Sequence, residues 1–178
     1  SYVGRKATEW IDNAENDDPT CMYVGFPGPH EPWDAPEPYA SMYKPSDMPE
    51  AIPPSEQHEW LDDSVWEKTT ERRVEDIDPA KVAAIRSSYY GKISLIDHWV
   101  GEILAAYERK GWLDNTLVIY FSDHGEMGGD HDQIYKSVQY RGSADVPFIV
   151  RWPGHVAEGV STDAFAQCTD IFPTIDEL

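Results

Sequence analysis

Basic residues are scarce in this sequence. Its 178 residues include 14 lysines and arginines against 33 aspartates and glutamates, which gives a formal net charge of -19. Because so acidic a surface repels phosphate backbones, the composition argues against nucleic acid as a partner. We interpret the acidity as a contribution to solubility or an adaptation to a salty habitat, not as a functional feature.

Long apolar runs are also missing. No stretch approaches the roughly 20 apolar residues of a membrane-spanning helix, and no basic-then-apolar signal segment opens the chain. The mean hydropathy is -0.57. We therefore predict a soluble protein without a membrane span. Its compartment stays open between periplasm, exterior and cytoplasm, since a leader that had been removed would leave no trace.

Cysteine is almost absent. The chain has two, Cys21 and Cys168, which lie far apart and in apolar surroundings. Two cysteines at this separation exclude a disulfide framework and a zinc knuckle. We predict two buried, unreactive thiols.

One stretch combines an apolar run with a dense group of polar residues, TLVIYFSDHGEMGGDHDQIYK at residues 116–136. Residues 117–121 form a continuous apolar run rich in β-branched and aromatic residues, which predicts a strand buried on both faces of a parallel sheet. The run ends abruptly at Ser122, Asp123 and His124. Ligands bind at the carboxyl ends of strands in open α/β sheets, so we expect the chemistry here.

The sequence predicts an α/β fold with a mainly parallel sheet and flanking helices. Three stretches have the composition of strands: residues 20–26, 116–122 and 146–151. A helix is predicted at 79–110, because apolar residues recur there at three- and four-residue steps behind a good N-cap, Asp78. The composition of residues 34–78 predicts a long loop that packs against the rest of the protein, with one or two helical turns within 55–68.

Four side chains in these segments are candidates for chemistry. Asp123 and His124 can bind one divalent ion through a carboxylate and an imidazole. Lys136 can hold an anionic substrate, and His30, which prolines flank on both sides, can give a proton to a leaving group. Acidic loops with a histidine are common and mostly inert, so these residue types alone leave the function open.

The order and spacing of the motifs resemble one family. SDHGEMGGDH at 122–131, then Lys136, YRGS at 140–143 and VPFIVRWPG at 146–154 closely resemble the C-terminal part of the catalytic domain of sulfatases, in the alkaline-phosphatase superfamily. The upstream segment YVGFPGPHEPWDAP and the downstream segment TDIFPT are similar in the same order. The resemblance therefore covers nearly the whole chain.

The resemblance implies a role for each candidate. Asp123 and His124 would ligate the active-site divalent ion, Lys136 would bind a sulfate oxygen, and His30 would contact the ester oxygen and help to protonate the leaving group. Calcium is the first expectation for the ion. Manganese and zinc are alternatives, because calcium prefers oxygen ligands and His124 would supply an imidazole nitrogen. His131 is either a further participant or a brace for the loop.

The departures from the family are informative too. Sulfatases carry Cys/Ser-x-Pro-x-Arg, whose first residue becomes formylglycine, and neither cysteine here begins that motif. The N-terminal aspartate pair of the metal site is not found either. Residues 1–178 thus resemble a single partial catalytic domain without the nucleophile region and the final small subdomain. We expect the isolated chain not to hydrolyse aryl sulfates, and an exposed sheet edge to leave it marginally stable or self-associating.

We therefore predict that the parent protein is a metal-dependent hydrolase of small-molecule or carbohydrate sulfate esters, with formylglycine expected outside this chain. A phosphonate monoester or phosphodiester hydrolase of the same superfamily is one alternative. A non-catalytic metal-binding module is the other. The alcohol part of the substrate and the oligomeric state stay undetermined.

Overall fold

The computed structural model describes residues 1–15, 18–54, 56, 63–70, 74 and 78–177. They divide into two units, the first formed by Ser1–Glu50 with Ile77–Asp114 and the second by Ala51–Asp76 with Asn115–Leu178. The helices are α1 (Tyr2–Asn13), α2 (Asp63–Thr70), α3 (Pro79–Arg109), α4 (Arg141–Ala144) and α5 (Ile171–Asp176), and the strands are β1 (Val118–Phe121) and β2 (Phe148–Arg151). Short 3-10 turns occur at Pro45–Asp47, Leu113–Asn115, Asp130–Asp132 and Cys168–Asp170.

Helix α3 organises the first unit and confirms the helix predicted at 79–110. It begins as expected, because the Asp78 carboxylate accepts a hydrogen bond of 2.9 Å from the Ala80 N–H and proline occupies the first helical position. Gly111 follows its end with φ 70°, a conformation that favours glycine. None of the helices in the described part of the chain combines the length and apolar character needed to cross a bilayer.

Helix α1 packs against α3. Its buried residues Gly4, Ala7 and Ile11 are spaced by three and four positions and so share one face. A side chain at Gly4 would overlap the indole of Trp99, which allows the two helices to approach closely.

The second unit contains a two-stranded sheet. Strands β1 and β2 lie inside the predicted stretches 116–122 and 146–151, but they pair antiparallel, with Val118 opposite Arg151 and Phe121 opposite Phe148. The mainly parallel sheet is therefore not confirmed in the described residues. An apolar run predicts a strand, whereas the direction of its neighbour depends on the connection between them.

Burial on both faces of the sheet was a wrong expectation. Tyr120 of β1 is 37% exposed, and Ile149 of β2 is 58% exposed. Apolar composition alone does not tell how many layers cover a strand.

The strand predicted at 20–26 is absent: these residues have no regular secondary structure. Their exposure alternates along the chain as in a strand, and Tyr23 is 80% exposed. A strand also requires a partner for its backbone groups, which composition does not supply. Cys21 in this segment is exposed, so the prediction of a buried thiol is wrong there.

The second cysteine is partly buried. Cys168 donates its thiol to the carbonyl of Ser122, at 3.3 Å, just beyond the end of β1. This contact joins the 3-10 turn before α5 to the end of the strand.

The long segment predicted as a loop at 34–78 holds two short regular elements. Residues 45–47 form a 3-10 turn, and α2 supplies the helical turns expected within 55–68, displaced toward the C-terminus. Residues 55, 57–62, 71–73 and 75–77 of this segment lie outside the described residues.

The N-cap of α3 generates a stability prediction. Replacement of Asp78 by alanine removes the acceptor for the Ala80 N–H and should lower the free energy of unfolding by about 1 kcal/mol. Asp78→Ser is the matched control, because serine keeps a capping oxygen and should stay within a few tenths of a kcal/mol of the parent. Urea unfolding followed by circular dichroism measures both, and an equal loss in the two variants would contradict the capping role.

Candidate active site

The turn after β1 is fixed by its own polar groups. The Ser122 hydroxyl donates to the His124 carbonyl at 2.8 Å, and the Asp123 carboxylate accepts from the His124 N–H at 3.0 Å. The Gly125 N–H donates to the Ser143 carbonyl at 2.8 Å. A Cβ at Gly125 would overlap the Gly142 carbonyl oxygen, so only glycine fits at this crossing.

Asp123 and His124 are close enough for both side chains to bind one cation. The His124 Nδ1 lies 2.8 Å from the Gly125 carbonyl oxygen. Because a carbonyl can only accept, Nδ1 carries the proton, and the neutral ring then has its lone pair at Nε2, as a metal ligand requires. Nε2 lies 3.7 Å from Asp123 Oδ2, within the span of about 4–5 Å that two donors can bridge through one ion.

The rest of a coordination sphere does not come from the described part of the chain. There, no group of three or more His, Cys, Asp or Glu side chains is gathered in a way that could hold a metal. The Asp123 side chain is 83% exposed. The pair thus fits a divalent ion as a partial ligand set, and further donors are needed to complete it.

The loop that leads from this pair to Lys136 is closed by Glu126. One oxygen of its carboxylate, Oε1, accepts from the Gly128 N–H at 3.0 Å and from the Tyr135 N–H at 2.6 Å. The Met127 N–H donates to the Tyr135 carbonyl at 2.8 Å. Both backbone groups of the residue before Lys136 are therefore tied to the residues that follow the Asp-His pair.

Lys136 lies between two residues with left-handed backbones. Tyr135 has φ 75° and Ser137 has φ 79°. This region is unfavourable for side chains with a Cβ and costs on the order of 1–3 kcal/mol per residue, so the surrounding bonds must hold it. The lysine itself is partly buried.

His131 braces the same loop. Its ring stacks on Tyr140, with centroids 3.9 Å apart and planes inclined by 11°. The backbone N–H of His131 donates to the Ile52 carbonyl at 2.7 Å. The carboxylate of the preceding residue, Asp130, accepts from the Ile52 N–H at 2.8 Å. Of the two roles left open for His131, these contacts favour the brace.

His30 belongs to the first unit and is described there. Its Nδ1 lies 3.0 Å from the carbonyl oxygen of Glu31 and 3.0 Å from the Glu31 carboxylate. The Lys92 ammonium, from α3, donates to the carbonyls of His30 at 2.7 Å and Pro32 at 2.8 Å. The loop thus takes its hydrogen bonds from a helix instead of a sheet.

Two residues were missed by the reasoning from sequence. Glu126 carried a signal, since it lies inside the polar group after β1, but its target is backbone and leaves no motif. Lys92 carried none, because one lysine in a long helix is normally solvated. Only the fold reveals that each holds a loop with a candidate residue.

The comparisons with known proteins agree with the motifs. The sequence model of the sulfatase family, described as "Sulfatase", matches residues 3–178. An arylsulfatase of Clostridium perfringens (strain 13 / Type A) is 32% identical over 98% of this chain and 37% of its own length. A choline-sulfatase of Rhizobium meliloti (strain 1021) is 32% identical over 92% of this chain and 33% of its own.

A solved structure shows a similar fold. The phosphonate monoester hydrolase of Agrobacterium radiobacter superposes with a TM-score of 0.71 at 30% identity, covering 86% of this chain and 33% of that one. The chain belongs to the sulfatase family, which confirms the resemblance inferred from its motifs. It spans about a third of the length of the relatives that it matches.

The Asp-His pair generates a binding prediction. In the full-length protein, Asp123→Ala should weaken binding of Ca²⁺ or Mn²⁺ about tenfold or more, because the carboxylate predicted to bind the ion is lost. Asp163→Ala is the matched control: it removes the same charge from an exposed position of the same unit. Isothermal titration calorimetry measures the affinity of both variants for the ion. Equal weakening in the two variants would show that the loss comes from net charge and not from a ligand.

Proposed function

We propose that the protein that carries this chain hydrolyses sulfate esters. The observation that carries the proposal is the pairing of Asp123 and His124, with the lone pair of the imidazole at Nε2 and a carboxylate oxygen 3.7 Å away. Membership of the sulfatase family supports it. The family generally uses a divalent metal ion and formylglycine.

Asp123 and His124 would hold the metal ion, with calcium as the first candidate and manganese or zinc as alternatives. When bound, such an ion offsets negative charge on the sulfate oxygens. An oxygen ligand suits calcium, whereas the nitrogen of His124 suits the two alternatives better. The donor set alone therefore does not fix the metal.

Lys136 would bind a sulfate oxygen. An ammonium is a fixed cation with three donors, which suits an oxyanion whose charge grows in the transition state. The hydrogen bonds from Gly128 and Tyr135 to Glu126 support this role, because they fix the backbone that presents the lysine.

His30 would deliver the proton that the leaving alcohol requires. Its Nδ1 faces the carbonyl and carboxylate oxygens of Glu31, both at 3.0 Å, so the proton for the leaving oxygen would come from Nε2. The substrate class is a small-molecule or carbohydrate sulfate ester. The matched relatives are named arylsulfatase and choline-sulfatase, which supports a sulfate ester without fixing its alcohol.

Hydrolysis of phosphonate monoesters is the second candidate. It is favoured by the superposition on a phosphonate monoester hydrolase, with a TM-score of 0.71. A phosphonate monoester is also an oxyanion, and it could bind to the same lysine and to the same metal ion. A phosphodiester is a third oxyanion of this kind.

A substrate comparison tests the proposal. The full-length protein should hydrolyse 4-nitrophenyl sulfate with a higher kcat/KM than the 4-nitrophenyl ester of phenylphosphonic acid. Lys136→Ala should lower kcat/KM for the sulfate ester by about 10²-fold or more, because a charge aimed at the reacting anion is lost. Lys81→Ala, which removes an exposed lysine of α3, should leave it unchanged.

Two outcomes would contradict the proposal. Faster hydrolysis of the phosphonate would favour the second candidate. Tight divalent-ion binding without turnover of either ester, in full-length protein whose formylglycine is verified by mass spectrometry, would favour a non-catalytic metal-binding module.

A further inference from the structure

The ammonium of Lys92 is enclosed by one loop. Nζ donates to the His30 carbonyl at 2.7 Å and the Pro32 carbonyl at 2.8 Å, and it lies 3.4 Å from Asp34 Oδ1. The Lys92 side chain is only 14% exposed. An ammonium has three N–H donors, and here three acceptors of a five-residue stretch surround it.

This arrangement replaces a missing backbone ladder. The segment around His30 contains turns and bends but no helix or strand. Its carbonyls therefore take their hydrogen bonds from side chains or from water. A charged donor makes stronger hydrogen bonds than a neutral one, so the two hydrogen bonds of Lys92 tie this loop to α3.

The tether acts on both sides of the residue that orients the imidazole. The carbonyls that Lys92 binds belong to residues 30 and 32, and Glu31 lies between them. The carbonyl and the carboxylate of Glu31 both lie 3.0 Å from His30 Nδ1 and can accept its hydrogen bond. A shift of the backbone at either neighbour would therefore move Glu31, whose oxygens favour the Nδ1–H tautomer and orient the ring.

A second side chain of α3 anchors the loop at a position beyond the histidine. Ser88, one helical turn before Lys92, donates its hydroxyl to the Trp33 carbonyl at 2.7 Å. Ser88 holds the loop beyond the histidine, whereas Lys92 holds the peptide groups around it. The two residues share one face of α3 because they are four positions apart.

We propose that Lys92 is a positioning residue for His30: through the carbonyls of residues 30 and 32 it fixes the Glu31 peptide that holds Nδ1–H, and so keeps Nε2 as the site of the transferable proton. This proposal rests on the proposed function for the role of the proton, while the tether itself is independent of it. Lys92 contacts no reacting atom in this scheme.

The kinetic test uses leaving groups of different basicity in the full-length protein. A simple alkyl sulfate needs a proton on its leaving oxygen, whereas 4-nitrophenyl sulfate leaves as a stable anion. Lys92→Met should lower kcat/KM for the alkyl ester at least about tenfold more than for the nitrophenyl ester, as expected when proton delivery is impaired. Lys92→Arg, which keeps a cation with several donors, should restore part of the difference.

A double-mutant cycle tests whether Lys92 acts through the histidine. His30→Ala should show the same selective loss, and adding Lys92→Met to it should lower kcat/KM for the alkyl ester less than twofold further. Lys81→Met, at an exposed position of α3, should change neither ester. An equal loss on both esters, or losses that multiply in the double variant, would overturn the proposal.

A spectroscopic arm keeps this inference separate from the proposed function. In protein with ¹⁵N-labelled histidine, the His30 ring of the parent should show the Nδ1–H tautomer when neutral, and Lys92→Met should shift the signals toward a mixture of tautomers. Unchanged His30 signals would overturn the proposal even if sulfate esters are hydrolysed. Shifted signals in a protein that does not hydrolyse sulfate esters would uphold the tether and refute the proposed function instead.

Discussion

The loops of this chain depend on side chains that bind backbone. Outside its helices and two short strands, the peptide groups have no ladder to join, yet those that leave water must still be paired. Lys92 supplies donors to the carbonyls around His30, and Glu126 supplies an acceptor to two N–H groups beside Lys136. The positive ammonium of Lys92 pairs with backbone carbonyls, and the negative carboxylate of Glu126 pairs with backbone N–H groups.

The energetic weight of a charge here depends on its surroundings. Exposed pairs such as Arg5 with Glu9 and Arg141 with Asp145 lie at 2.9 and 2.7 Å, but such pairs contribute only about 0–1 kcal/mol. The Asp145 carboxylate raises the pKa of Arg141, which stays protonated in any case. The ammonium of Lys92 matters more, because its side chain is only 14% exposed and it donates to two backbone carbonyls. Among the many charges of this acidic chain, a few that touch backbone shape the loops.

Much of the fold followed from local patterns. The cap of Asp78 and the apolar stripe of the following segment predict α3 almost to the residue, and apolar runs locate both strands. Their antiparallel pairing and the missing strand at 20–26 could not be predicted, since partners are chosen in three dimensions. The family was evident from the order of the motifs.

The contacts inside the site were less accessible to sequence reasoning. The motif placed Asp123 and His124 side by side, but not the tautomer that the Gly125 carbonyl selects. Left-handed backbones at Tyr135 and Ser137 were also unexpected, because neither residue is a glycine. At Tyr135, hydrogen bonds with Glu126 and Met127 across the loop hold this conformation, and a linear pattern does not record them. The roles of His30, Asp123, His124 and Lys136 remain predictions.

The spacing of Ser88 and Lys92 has a consequence for how the chain can change its length. One residue inserted between them would turn everything beyond it by about 100° and advance it by about 1.5 Å. The ammonium would then point away from the carbonyls it serves. An insertion before α3 leaves the angle between the two residues untouched. A change of chain length within this single turn of α3 thus costs both contacts with the loop, whereas one before the helix does not alter the spacing of Ser88 and Lys92.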